Sequence, residues 1–336
     1  MEVKKEFIFG EDREFESAHG STLVRLDNGE VLAAWFGGSW EKGADTAIYI
    51  ARRTGTVWSR PEIAANSRRT AMWNPVLFKR HDGTVMLFYK VGAAISEWQT
   101  WVIGSDDGGH TWTEPRELVP GDVCGGRGPV KNKPIYLANG DIIAPASLEG
   151  GVWDAFADIS HDEGRTWERG SLVPVRRAGY EIQMVDKPYS KYRCFGKGII
   201  QPTLWEDESG VHMLLRSTSS AIFRSDSHDG GRTWSQAYAL GLPNNNSGID
   251  LVQMPSGTLA LAYNPTQNLP NYYKGPRTPL VVSLSHDGGG KWETAAVLED
   301  GEGGFAYPSI INGAENELLV TYTWKRERIV FAQIKL

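Results

Sequence analysis

One eight-residue pattern, copied along the chain, limits what it can fold into more than any other feature. Ser105-Asp106-Asp107-Gly108-Gly109-His110-Thr111-Trp112 recurs as Ser160-His161-Asp162-Glu163-Gly164-Arg165-Thr166-Trp167 and as Ser227-His228-Asp229-Gly230-Gly231-Arg232-Thr233-Trp234. A fourth copy, Ser285-His286-Asp287-Gly288-Gly289-Gly290-Lys291-Trp292, carries Lys where the others carry Thr, and Thr54-Gly55-Thr56-Val57-Trp58 reads as a decayed fifth. The chemistry is that of a hairpin turn: the Asp carboxylate accepts turn N–H groups, Gly tolerates positive φ, and Trp packs sideways. A single copy is a surface turn, whereas a set of copies is a repeat architecture.

A second repeat runs out of phase with the first. Its turns are Asn28-Gly29, Asp82-Gly83, Asn139-Gly140, Ser209-Gly210, Ser256-Gly257 and Glu315-Asn316, each between runs rich in β-formers. Two hairpins per repeat make four strands, which is one propeller blade. The tryptophans of the first pattern, Trp58, Trp112, Trp167, Trp234 and Trp292, are 54, 55, 67 and 58 residues apart. No helical period interrupts them. The expectation is an all-β, six-bladed β-propeller of four antiparallel strands per blade, one domain spanning residues 1–336. Lys5–Phe9 is expected to pair with a final strand Arg328–Ile334, closing the ring and removing its exposed edges. The insert from Arg177 to Gly196, rich in Tyr, Lys and Arg, reads as a loop over the mouth or an ordinary surface excursion.

Composition narrows the partner. Thirteen Trp and twelve Tyr suit sugar faces as well as blade packing, and a net charge of −6 argues against nucleic-acid or membrane surfaces. Cys124 and Cys194 make no disulfide framework and have no zinc spacing near them. No motif calls for a metal or a cofactor. The start, Met-Glu-Val-Lys-Lys-Glu-Phe-Ile-Phe-Gly, lacks an apolar signal core, and no run reaches transmembrane length, so a cytoplasmic protein is expected.

The innermost strand of each blade begins beside the central axis. Counting back from each turn glycine puts His19, Asn74, Lys133, Gln201, Asp250 and Tyr307 in a ring there, and Pro follows four of them. All six are polar, as a site would be and a merely packed channel would not. Arg216 and Arg277 reach the same mouth and suit a bidentate carboxylate clamp, while Lys90, Lys131 and Lys133 add positive potential to an acidic protein. Glu41 and Asp45, in the loop Gly37–Asp45, are candidate general acids.

With these motifs in place, the chain resembles the sialidase (neuraminidase) superfamily, in its branch of short, intracellular predicted-neuraminidase proteins. The resemblance spans nearly the whole chain, and its Asp boxes are more specific for fold than for activity. It implies a six-bladed propeller in which three arginines hold the substrate carboxylate, an aspartate is the general acid, and a Tyr–Glu pair is the nucleophile. On that resemblance Arg216 and Arg277 match the second and third arginines, Tyr307 the nucleophilic tyrosine, and Asp45 falls near the acid/base loop. Two positions depart from it: His19 stands where the first arginine belongs, and Gln201 where the glutamate partner of tyrosine belongs.

Three functions follow, in order of expectation. The first is an exo-acting glycosidase on a terminal acidic sugar, with Arg216, Arg277 and Lys133 holding the carboxylate. Tyr307 would be its nucleophile or a transition-state stabiliser, Asp45 or Glu41 its acid and Asp250 its base. The second is a lyase that cleaves a uronate-containing glycan by β-elimination, with His19 or Tyr307 taking the α-proton. The third is a carbohydrate-binding propeller without chemistry. In each the partner is an acidic oligosaccharide or glycan.

Overall fold

A computed structural model describes residues 2–122, 126–176, 198–270 and 272–336. Cys124, Cys194 and the insert singled out from the sequence lie outside these residues or, like Arg177 and Gly196, at positions equally undescribed. The chain forms six antiparallel sheets in chain order, each of four strands except the first, which gains a fifth short one. This is the expected six-bladed propeller. Among the described residues the one helical element is a single 3-10 turn, Ile95–Glu97, and no helix is long and apolar enough to cross a membrane.

The sixth blade closes the ring. Its inner strands Phe305–Asn312, Glu317–Trp324 and Arg328–Lys335 take Glu2–Phe7 as their outermost partner, with Lys5 opposite Ala332 and Phe7 opposite Val330. The apolar core lies between blades rather than within them. Phe15, Leu23 and Trp35 of the first blade pack with Leu319, Ile329 and Phe331 of the sixth, and Ala260, Leu280 and Val282 of the fifth pack with Ile310, Leu318 and Tyr322. Alternation along each strand therefore feeds two interfaces, one per sheet face.

The Asp boxes follow the third strand of their blades, so they sit at the end of the propeller opposite the loops that join second strands to third. In the second blade Asp107 Oδ1 accepts the N–H groups of His110 and Thr111 at 3.0 and 2.9 Å, and Oδ2 accepts the Thr111 hydroxyl at 2.6 Å. Asp162 and Asp229 repeat the pattern with Thr166 and Thr233. At Asp287 the N–H of Lys291 is bonded at 2.8 Å, but the substituted side chain supplies no hydroxyl. Three of the four boxes also receive a neighbour: Arg52 donates to the Gly108 carbonyl, Arg116 to Gly164 and Arg224 to Gly288. The fourth blade holds a further ionic knot. Buried His212 stacks on Trp205 and lies 2.6 Å from Asp226 Oδ1 and 3.0 Å from Asp207 Oδ1.

Burial alone would lower the His212 pKa, but hydrogen bonds to Asp226 and Asp207 outweigh it and hold the imidazolium above its usual range, while both aspartates fall to about 2. The histidine's contribution to stability is therefore complete below about pH 6.5 and is lost as pH rises through its elevated pKa. The aspartates' contribution is present above about pH 4 and is lost toward pH 2. In urea titrations the wild type should exceed His212→Gln in stability most clearly at pH 5 to 6. The gap should narrow as the buffer is made alkaline; a gap constant with pH would mean that the histidine is neutral in its bonded state.

Candidate functional site

Four innermost strands share one irregularity. Pairing with the second strand slips between His19 and Thr22, Trp73 and Val76, Ile200 and Thr203, and Ala306 and Ser309. The residue entering each bulge has positive φ: Gly20 at 63°, Asn74 at 42°, Gln201 at 52° and Tyr307 at 55°. Pro follows the last three, and a proline inside a bulge costs no ladder hydrogen bond. Left-handed backbone at three non-glycine residues costs about 1–3 kcal/mol each, a strain that collects where side chains must be aimed.

This register revises the expected ring. In the first blade Gly20, not His19, occupies the bulge position, so His19 reaches the site from one residue earlier. Asp250 lies two residues beyond that position, alongside Thr203: the N–H of Leu251 bonds Thr203 Oγ1 as that of Leu77 bonds Thr22 Oγ1. The Asp250 carboxylate is fully engaged by the fold. It accepts the Thr203 hydroxyl at 2.9 Å, the N–H groups of Leu251 and Ile310 at 3.0 and 2.9 Å, and Lys133 Nζ at 2.9 Å.

Lys131, Asn132 and Lys133 plug the channel beneath the mouth. Lys131 Nζ donates to Asn132 Oδ1, to the Ile249 carbonyl and to the Pro308 carbonyl. Asn132 donates to the carbonyls of Gln201 and Pro202, and Lys133 to Asp250 and the Leu251 carbonyl. Three consecutive side chains thus tie the third blade to the fourth, fifth and sixth. Burial, with Lys133 and Arg216 nearby, pulls Lys131 down to about 7 against the pull of Asp250. Lys90, next to the last residue of the strand Val85–Val91, is fully buried, donates to Thr100 Oγ1 and the Arg127 carbonyl, and acts electrostatically on Glu149.

Above the plug, Tyr307 is the centre of the site. Arg216 Nη1 donates to its phenol oxygen at 2.8 Å and to Gln201 Oε1 at 3.0 Å, while Arg216 Nε donates to Asn246 Oδ1 at 2.9 Å. The Arg277 guanidinium lies 5.6 Å from the centre of the tyrosine ring, and the His19 ring 4.3 Å from it. Gln201 turns its amide N–H to Glu149 Oε1 at 3.1 Å, and Ser147 donates to the same oxygen at 3.0 Å. A carboxylate therefore stands behind Gln201, one blade earlier than the resemblance implies. Loss of water pushes the Glu149 pKa up, although Arg216 and its two hydrogen bonds oppose that. Asn74 is buried, with its carbonyl oxygen close beside Gly20.

Sequence reasoning missed Glu149, Arg326 and Lys274. Arg326 sits in the tight turn before Arg328–Lys335 and pairs with Glu41 from the first blade's loop. Asp45 in that loop accepts the Ser39 N–H at 2.8 Å and the Ser39 hydroxyl at 3.0 Å, and these bonds lower its pKa and keep it ionised. A usable signal was present: all three missed residues lie in connections between second and third strands, and every such connection opens at the mouth.

The site is strongly cationic. Burial, then Arg326, Arg277, Arg216 and Lys131, hold the His19 pKa well below its usual value. Its Nδ1 lies 2.9 Å from Thr323 Oγ1, and its Nε2 is buried without a partner among the described residues. An unmet buried nitrogen of this kind costs about 1–3 kcal/mol. Arg277 is drawn down to about 10 by burial, with Arg216 and Arg326 adding to it and Tyr307 opposing. Such a cluster can clamp a carboxylate in two or more bidentate directions against a phenol.

A family model described as a BNR repeat-like domain matches residues 29–320. No curated protein matches the sequence. Among solved structures, a Dyadobacter fermentans protein of unknown function superposes with a TM-score of 0.76 at 16% identity, covering 99% of both chains. The Hadza microbial sialidase Hz136 gives 0.77 at 16% identity, with 95% of this chain covering 66% of that one. The intramolecular trans-sialidase of Ruminococcus gnavus gives 0.73 at 13% identity, with coverages of 98% and 97%. At these identities the likeness speaks for a shared fold. In a histidine NMR titration His19 should remain neutral through the range near pH 6.5 where a free histidine takes up a proton; a His19 that titrates there would mean the mouth is wetter and less cationic than its geometry implies.

Proposed function

Since the chain belongs to the BNR repeat-like domain family and shares the sialidase fold, we propose that it is an exo-acting glycosidase removing a terminal, carboxylate-bearing sugar. The observation that carries this reading is the crowding of cations, with Arg216 and Arg277 on the Tyr307 phenol and Arg326 within electrostatic reach of Arg277. In this reading the three guanidiniums hold the sugar carboxylate, with Arg326 supplying the cation that His19 cannot. The Tyr307 oxygen attacks the anomeric carbon as the glycosidic C–O bond breaks. Arg216, already donating to that oxygen, holds it in place for the attack. The incoming sugar carboxylate takes Arg326 from the ionised Glu41, which then accepts the Tyr307 phenol proton through a water and passes it to the leaving oxygen. Water then attacks the anomeric carbon, freeing the sugar and restoring the phenol. Asp250, Lys133, Lys131 and Lys90 support the scaffold in this account, and Asp45 shapes the loop that carries Glu41. Gln201 and Asn74 line the inner wall.

A second reading, a lyase, draws support from the neutral His19 with its free Nε2. That nitrogen would take the proton α to a uronate carboxylate, the bond to the leaving oxygen would break, and a ring double bond would form. Gln201, unable to accept a proton from Tyr307, fits this as well.

Incubation with acidic oligosaccharides separates the two. Release of an intact terminal sugar acid is the expected result, while the absorbance of an unsaturated uronate would replace the first reading by the second. Tyr307→Phe should lower kcat by about two to three orders of magnitude while leaving KM within a few-fold. Arg277→Lys should chiefly raise KM. A Tyr307→Phe variant as active as wild type would remove tyrosine from the chemistry altogether.

A further inference from the structure

Resting on the reading of this mouth as an acidic-sugar site, we propose that its substrate carries a second acidic group, and that Lys274 meets it. The argument starts from three consecutive asparagines, Asn244, Asn245 and Asn246, all buried and none used by the reaction above. Asn244 Oδ1 accepts the N–H groups of Ser217 and Asn246, which locks their turn beneath the mouth. Asn246 has its backbone in the left-handed region, φ 58°. Its side chain faces two ways: Oδ1 takes Arg216 Nε, and Nδ2 donates at 2.9 Å to the carbonyl of Tyr273. Asn245 accepts Gly275 N–H on its own carbonyl at 3.1 Å and holds the Pro276 carbonyl through Nδ2. The segment Tyr273–Pro276 is therefore pinned on both sides of Lys274 to the residues that orient Arg216. A loop needed only for chain connection has no use for such anchoring.

The pinning sets an ammonium where charge is least welcome. Lys274 and Arg277 have ring contacts, at 4.9 Å to Tyr273 and 5.6 Å to Tyr307, but neither has an ion pair with any described residue. Of the other cations, Arg326 pairs with Glu41, whereas Arg216 is held by the neutral acceptors Tyr307, Gln201 and Asn246. Burial, then Arg277, Arg216 and Arg326, with Glu41 opposing, bring the Lys274 pKa to about 8. One substrate carboxylate is shared among Arg216, Arg277 and Arg326. It leaves Lys274 with no counter-charge in a half-buried pocket, an arrangement that a monoanionic ligand does not relieve. A second carboxylate or a sulfate ester, on the same sugar or the next, would do so.

Calorimetric titration tests this with three probes: galacturonic acid with one carboxylate, digalacturonic acid with two, and a sulfated uronate disaccharide. At pH 7 at least one dianion should bind about tenfold more tightly than galacturonic acid, and whichever does identifies the second group as carboxylate or sulfate. Lys274→Met should bring that ratio close to one and Lys274→Arg should preserve it. In the wild type the ratio should fall as pH rises through about 8, where Lys274 loses its proton. Equal affinity for all three acids, or a ratio that survives Lys274→Met, overturns the inference while leaving the acidic-sugar reading intact. Binding of none of the acids overturns both.

Discussion

The site depends on a backbone device, the left-handed bulge at the start of the inner strands. Without it, Asn74, Gln201 and Tyr307 would alternate with their neighbours between the two blade interfaces, as ordinary strand residues do. The bulge places two residues opposite one and turns the first of them toward the axis. Proline behind each one is tolerated because the ladder hydrogen bond is already given up there. The strain is carried by the interblade core, where large side chains such as Trp35, Phe331 and Tyr322 leave the strands little freedom to relax.

A second constraint is electrostatic. An acidic protein gathers Arg216, Arg277, Arg326 and Lys274 at one end of its channel and sets Lys131 and Lys133 just below. The lysines of the plug are answered by carbonyl oxygens and by Asp250, which offset their burial while the bonds hold blades together. The cations above are only partly answered, by Glu41 and by the Glu149–Gln201 pair. The plug is a closed system of hydrogen bonds and the mouth is an open one. This difference in satisfaction, more than position along the axis, separates scaffold from site.

The Asp boxes belong to the scaffold. Their carboxylates are consumed by their own turns, and in three of them a glycine carbonyl by an arginine of the preceding blade, at the far end from the mouth. That clamps neighbouring sheets together where the inner strands cannot, and it leaves the opposite loops free to vary. Lys291 in the fourth box shows the tolerance of the design: losing one hydroxyl bond leaves the two backbone bonds to Asp287 in place.

Repeat phase, turn chemistry and alternation were local properties, so fold, blade number and ring closure could be read from the residues alone. Arg216, Arg277 and Tyr307 were legible too, because a strand end is a one-dimensional feature. The rest was decided only in three dimensions. Whether Lys133 and Asp250 face a ligand or each other depends on two blades meeting across an axis, 117 residues apart in the chain. His19 and Gly20 exchange places with a slip of a single residue, which hydrophobic pattern cannot resolve in a strand buried on both faces. Glu149, Arg326 and Lys274 lie in loops of unlike length, where no period marks them. They became a group because six second-to-third connections end on one face of a closed ring, and it is closure, not sequence, that brings the first and sixth blades together at Glu41 and Arg326.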